Sequence, residues 1–167
     1  QIMNMTNEIP HTKTITLSPG KLQWLVTFLP HLLMSVAGYV YAGMDEMPLA
    51  SVVLVLPVLL SVYLAYQFIY LQSIKYHVSS QQLVTTYGVF HRERNYMELY
   101  RVVDFNEHQS LMQRICGLKT ITIFSTDKNT PELKLIGIRD NLDVVGYLRP
   151  LVFYNRQRMR IHEFANY

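Results

Sequence analysis

Gln109, Arg114 and Gly117 are the most recognisable constellation of chemistry-bearing residues in this chain. A guanidinium could bind a ligand anion. The same guanidinium and the Gln109 amide could instead bond local carbonyls and pin a turn between strands, and the spacing favours that use. Gly117 fits a position of positive φ. Cys116 stands beside it with no neighbouring base to activate it, so it reads as a small packing residue. The six histidines are scattered at 11, 31, 77, 91, 108 and 162. Neither the Glu107–His108 pair nor the His162–Glu163 pair has a geometry for shared ligation, so no metal site is expected. No phosphate-binding glycine loop, dinucleotide fingerprint, zinc-protease helix or nucleophile elbow occurs. No catalytic residue and no cofactor is expected.

Basic side chains offer a second kind of chemistry. Arg92 and Arg94 form one cluster, and Arg149, Arg156, Arg158 and Arg160 form another. Beside an anionic leaflet each cation contributes ~1 kcal/mol of attraction. Both clusters are therefore candidates for holding a domain flat against lipid or for meeting a partner protein. Nucleic acid is the rival ligand and is not expected. The Arg156–Arg160 segment is short, only Phe153 and Tyr154 stand beside it for stacking, and the balance of charge is weakly basic.

What must position these groups begins with two apolar runs. From Leu22 to Gly43, and again from Pro48 to Leu71, no Asp, Glu, Lys or Arg occurs. A helix rises ~1.5 Å per residue, so each run can cross ~30 Å of hydrocarbon. Only Met44 to Met47 separate them, which predicts an antiparallel helical hairpin. The turn carries Asp45 and Glu46, whereas Lys13 and Lys21 precede the first run and Lys75 follows the second. The positive-inside rule puts both flanks in the cytoplasm. Trp24, Tyr39, Tyr41, Tyr66 and Tyr70 cluster near the ends, as an interfacial aromatic belt does. Pro30 and Pro57 interrupt the runs. His31 could carry a proton inside the membrane, but neither run offers it an acidic or second imidazole partner. It reads better as a neutral ring bonded to a freed carbonyl or facing a partner helix. Gly38, Ser35, Ala37 and Ser61 offer small faces for helix packing, hence a homo-oligomer or association with another membrane protein.

After the runs the period changes from helical to two. Ile74 to Val78, Leu83 to Phe90 and Tyr96 to Leu99 read as strands and Tyr100 to Phe105 as a further strand or a continuation, with Gly88 a bend and His91 to Asn95 a charged hairpin connection. Ser110 to Cys116 reads as a helical turn ended by Gly117. Leu118 to Ser125 and Glu132 to Ile138 complete the strands. Leu142, Val145, Leu148 and Val152 then recur at helical spacing, with Asp140 as the candidate cap and Pro150 as a kink or break. Strands closed by one amphipathic helix predict an α+β unit, a curved antiparallel sheet or small barrel with the helix on one opening. The single cysteine excludes a disulfide framework.

Tyr76–Ser79, Leu83–Phe90 and above all Val102–Ile123, with its Gln109–Ser110–Leu111, Arg114–Ile115 and Gly117–Leu118, resemble the membrane-flanked bacterial pleckstrin-homology-like (PH-like) domains. The resemblance covers Ser73 to Val152, and the helix pair in arrangement. It implies a bent antiparallel sheet capped by a C-terminal helix, and no enzyme. Eukaryotic lipid-binding members carry basic residues between their first two strands. The equivalent Ser79–Gln82 here has none, so phosphoinositide binding in that pocket is not expected.

The expected organisation is a polar arm over 1–20, a transmembrane hairpin over 21–72, a cytoplasmic PH-like domain over 73–155 and a basic tail over 156–167. The expected function is a non-catalytic module in the bacterial inner membrane, crossing it more than once with both termini cytoplasmic. It would present a surface to protein partners or anionic headgroups. An accessory subunit of a transport or secretion assembly is the second reading. A membrane enzyme using His31 or the Gln109–Arg114 turn is the third.

Overall fold

The computed structural model describes residues 14–44 and 49–165, with side chains described through Arg160. The arm before Thr14, the acidic Asp45–Glu46 turn and the surroundings of His162 and Glu163 lie outside the described residues.

The first apolar run forms α1 (Leu22–Ala42), and the second forms a short α2 (Ala50–Val53) and α3 (Val55–Ser73). The Leu54 amide bonds the Ala50 carbonyl at 3.0 Å and its own carbonyl accepts from Val58 at 3.3 Å, so α2 and α3 are one rod in effect. Contacts between α1 and α3 run in antiparallel order. Gly38 meets the Pro57 ring, where an added Cβ would stand 3.1 Å away. Ser35 and Ser61 are 3.1 Å apart, and Tyr39 reaches Ser61 at 3.0 Å. Nearer the other end, the Phe28 ring meets Tyr63 and the Trp24 ring stands edge-on to Phe68. Ser61 returns its proton to the Pro57 carbonyl at 2.8 Å, so the polar groups between the helices satisfy one another.

The strands form two antiparallel sheets. The first has order β1-β2-β3-β4, from β1 (Ile15–Leu17), β2 (Lys75–Val78), β3 (Gln82–Tyr87) and β4 (Glu93–Glu98). The second has order β5-β6-β7, from β5 (Val102–His108), β6 (Leu118–Ser125) and β7 (Glu132–Arg139). Among the described residues no ladder joins β4 to β5 or β1 to β7. The architecture is α+β with two open sheets and not a closed barrel. A 3₁₀ turn at Leu99–Arg101 supplies the reason. Leu99 is fully buried and its amide bonds Gln81 at 2.9 Å, which turns the chain out of the first ladder before β5 begins.

Alternation decides which residues fill the space between the sheets. Tyr76, Val78, Leu83 and Met97 come from the first sheet, Ile121, Ile123, Leu135 and Ile138 from the second. The helix α5 (Val144–Ala165) closes the opening with Val144, Val145, Leu148, Leu151 and Val152.

Several local readings change. Asp143 caps α5, its Oδ1 accepting from the Gly146 amide at 2.8 Å, because the helix begins at Val144 and not after Asp140. Pro150 does not divide α5, since buried residues on both sides hold each half in place. The helix therefore runs on through Arg156, Arg158 and Arg160. The turn between β3 and β4 comes earlier than the charge pattern suggests. Gly88 has φ +114°, and its amide bonds Ser73 Oγ at 3.1 Å, so the chain reverses there. Arg94 and Asn95 thereby enter β4, opposite Thr86 and Thr85. Part of the N-terminal arm joins the domain, as Ile15, Thr16 and Leu17 pair with Val78, His77 and Tyr76.

Candidate functional site

The Gln109–Gly117 segment is a joint between the helix pair and the sheets. Ser110 caps α4 (Leu111–Ile115), its Oγ accepting from the Gln113 amide at 3.2 Å while Gln113 Oε1 accepts from the Ser110 amide at 3.1 Å. This capping box turns Gln113 inward. Gln113 Nε2 then donates to Gln23 Oε1 at 3.0 Å and to Thr120 Oγ1 at 2.8 Å. Gln113 and Gln23 are both 4% exposed. Gln23 is the second residue of α1, and it also donates to Thr27 Oγ1 at 3.0 Å. Close approach is possible because Gly137 of β7 lies beneath Gln23. A Cβ there would stand 2.7 Å from the Gln23 Cβ. The Gly20 amide bonds the Gly137 carbonyl at 2.8 Å.

Gln109 donates from Nε2 to the Leu118 carbonyl at 2.8 Å. Gly117 has φ +64° and ends α4. Arg114 sits in the last turn of α4 and is exposed. Cys116 is half-buried and lines a hollow of about 900 Å³ between the start of α1 and the end of β7. Leu111 and Ile115 are 70% and 72% exposed on the outward side of α4, beside the start of α1.

A second hollow of about 640 Å³ opens on the outer face of the first sheet. Lys75, His77, Arg92, Arg94 and Tyr96 line it with Gln72 and Ser73 from the end of α3. Register explains the assembly. Thr86 lies between Lys75 and Arg94, and Val84 lies between His77 and Tyr96, so these side chains share one face. His77 Nδ1 is 3.0 Å from Thr16 Oγ1. Among the described residues, no Asp or Glu lines this hollow.

The other basic cluster lies elsewhere. Arg149 and Arg156 line a hollow of about 220 Å³ with Val103, Asp104 and Phe105 of β5, and Arg156 donates to the Val102 carbonyl. Arg158 and Arg160 are exposed further along α5. Asn155 donates to Ser80 at 2.7 Å, which puts this stretch beside the end of β2 remote from α3.

Sequence reasoning overlooked Gln113, Gln23 and Gly137, and it did not add Lys75 and His77 to the Arg92–Arg94 pair. The Ser110-x-x-Gln113 capping box was a usable signal for an inward-facing Gln113. Nothing local marked Gln23 as its partner. His31 is exposed on α1 with its ring 6.0 Å from Phe28. Among the described residues, no group of His, Cys, Asp and Glu could hold a metal ion.

Two sheets closed by a C-terminal helix define a PH-like module, here carried on a helix pair. The family model described as "Bacterial PH domain" matches residues 24–152, and the chain belongs to that family. The match begins inside α1, so it takes in both apolar helices together with the domain. PH-like domains are in general non-catalytic modules. Neither the curated proteins nor the solved structures compared with the chain gave a match.

Proposed function

We propose that this chain is a membrane-anchored, non-catalytic PH-like module of the bacterial inner membrane. Its two apolar helices cross the bilayer, both flanks are cytoplasmic, and the domain offers its surfaces to anionic headgroups and to a protein partner. One observation carries the reading. Leu22–Ala42 and Ala50–Ser73 have mean hydropathies of 1.5 and 2.3, yet only 6% and 11% of their apolar windows are buried. A core helix of a water-soluble protein buries most of such a surface, and lipid is the cover that needs no other chain. Orientation follows from Lys21 at the foot of α1 and Lys75 just after α3.

The outward apolar residues of α4 support the same placement. Leu111 and Ile115 stand beside the start of α1, where an interfacial segment would meet the acyl boundary. The Arg149–Arg160 stretch sits beside the end of β2 remote from α3, so it suits a protein partner better than lipid. That partner, or a second copy of the chain, would make the molecule part of a membrane assembly.

The test uses the full chain with Cys116→Ser and Lys128→Cys, expressed in bacterial cells. Carbonate washing should leave it in the membrane. A membrane-impermeant maleimide should label position 128 only after the cells are opened. Release by carbonate, or labelling in intact cells, would overturn the reading.

A further inference from the structure

We propose that the hollow on the outer face of the first sheet is a headgroup site for one acidic phospholipid. The phosphate would sit among Lys75, His77, Arg92 and Arg94, and the acyl chains would lie along Tyr66 and Phe90. This rests on the membrane reading above and names a ligand for it.

Three independent observations meet at this place. The first is charge: three permanent cations and an imidazole line about 640 Å³ with no carboxylate among the lining residues. Three cations gathered around one hollow, Lys75 and Arg94 from the sheet and Arg92 from the loop, repel one another, and an anion relieves that. The second is depth. Phe90, at the tip of the β3–β4 loop, is 91% exposed yet stacks on Tyr66 with ring centroids 6.2 Å apart and planes within 9°. Tyr66 lies seven residues before the end of α3, about 10 Å up the helix. The loop tip therefore stands with the interfacial aromatic belt, at the boundary of headgroups and acyl chains, and Arg92 follows it among the headgroups. The third is a spare donor. Gln72 lines the same hollow, and its Nε2 is buried without an acceptor. A small turn of that amide offers it to a phosphate oxygen.

The loop is not free to leave. The Gly88 amide is bonded to Ser73 Oγ, and that hydroxyl donates to the Tyr70 carbonyl at 2.6 Å. The loop root is thereby tied to the end of α3. The site differs from a pocket at the Ser79–Gln82 turn, which lies at the far end of β2 and carries no basic side chain.

The experiment is native mass spectrometry of the full chain in detergent, offered phosphatidylglycerol or phosphatidylcholine in equal amounts. The unaltered chain should retain phosphatidylglycerol preferentially. Arg92→Gln with Arg94→Gln should lower that retention about thirtyfold, at ~1 kcal/mol for each basic side chain near the surface. Arg92→Lys with Arg94→Lys should restore most of it, which separates charge from folding. Arg158→Gln with Arg160→Gln should change nothing. Equal retention of the two lipids, an equal loss with the α5 pair, or saturation by glycerol phosphate at the same concentration as the lipid would overturn the proposal. The carbonate wash of each variant separates the two claims. A chain that stays in the membrane without lipid preference refutes the site alone, whereas a chain that washes off refutes the anchor.

Discussion

Gln113→Ala should loosen the joint between α1 and the sheets far more than an average surface change. The side chain makes three hydrogen bonds: it accepts from the Ser110 amide and donates to Gln23 and Thr120. Each such bond contributes about 1 kcal/mol net, and a buried partner left unpaired costs about 1–3 kcal/mol. Ser110 can still cap α4 through the position-113 amide, and Thr120 Oγ1, only half-buried, can accept from another donor. Gln23 Oε1 has no such freedom at 4% exposure. The expected loss is about 2–4 kcal/mol. Amide hydrogen exchange of the full chain in detergent reads it locally. Amides of α4 and the start of β6 should exchange about thirty- to a thousandfold faster. Those of α5, which packs on the Leu99–Arg101 turn, should hardly move. Gln23→Ala alone should cost less, because Gln113 keeps Thr120. The decisive quantity is the double-mutant cycle. A coupling of about 1–2 kcal/mol is expected between the two glutamines. Effects that add to within ~0.5 kcal/mol would show that the two amides act separately, and the joint would lose its argument.

Other expectations follow from single features. Gly137→Ala should destabilise the same joint by more than about 2 kcal/mol in the exchange experiment, since φ +68° is strained for alanine and the new methyl would meet Gln23. Gly117→Ala, at φ +64° but with open space around it, should cost only the backbone term of about 1–2 kcal/mol. Asp143→Ala should cost about 1 kcal/mol by removing the α5 cap, read as faster exchange in the first turn of that helix. Burial raises the Tyr76 hydroxyl above its ordinary pKa of 10.0, against a smaller lowering by the Ile136 amide that donates to it at 3.1 Å. The unfolded tyrosine therefore ionises first. Tyr76 stabilises the domain fully below pH 10.0 and loses that contribution as pH rises through the raised folded value. Tyr76→Phe should weaken the alkaline decline of stability, measured by denaturant unfolding between pH 9 and 12.

Much of the fold was legible because it rests on local pattern. The apolar runs, the alternation in Leu118–Ser125, the Ser110–Gly117 turn and the periodicity after Leu142 each carry their own signal. What failed to show was pairing between segments far apart in the chain. The alternation of Thr14 and Thr16 with Ile15 and Leu17 fits a short strand, but nothing in it names the open edge of β2 as its partner. The division into two sheets depends on one buried leucine and one backbone bond at Leu99, which no periodicity encodes. The β3–β4 turn was misplaced because the charged stretch His91–Asn95 looked like a loop. The turn is set instead by the positive φ of Gly88, and a strand edge facing a polar hollow tolerates Arg94 and Asn95. At the site, the Arg92–Arg94 pair was visible. Its union with Lys75 and His77 required the register of three strands.

The two attachments of the domain to the helix pair decide which of its surfaces lies toward the helices. One attachment is the Gln23–Gln113–Thr120 chain at the foot of α1, and the other is Gly88–Ser73 with Phe90 on Tyr66 along α3. A single tether would leave the domain free to turn about it, and every basic cluster would then reach the leaflet in turn. Two attachments on different helices remove that rotation, provided α1 and α3 stay locked by Ser35, Ser61 and Gly38. The outer face of β2–β4 is then held on the side of the domain where α3 ends, which is the side the proposed membrane anchor would turn toward headgroups. The stretch of α5 after Asn155 is held beside the Ser79–Gln82 turn, at the end of β2 remote from α3. Under this geometry, a change in how α1 packs on α3 must tilt the domain, because neither attachment contains a flexible linker to absorb it.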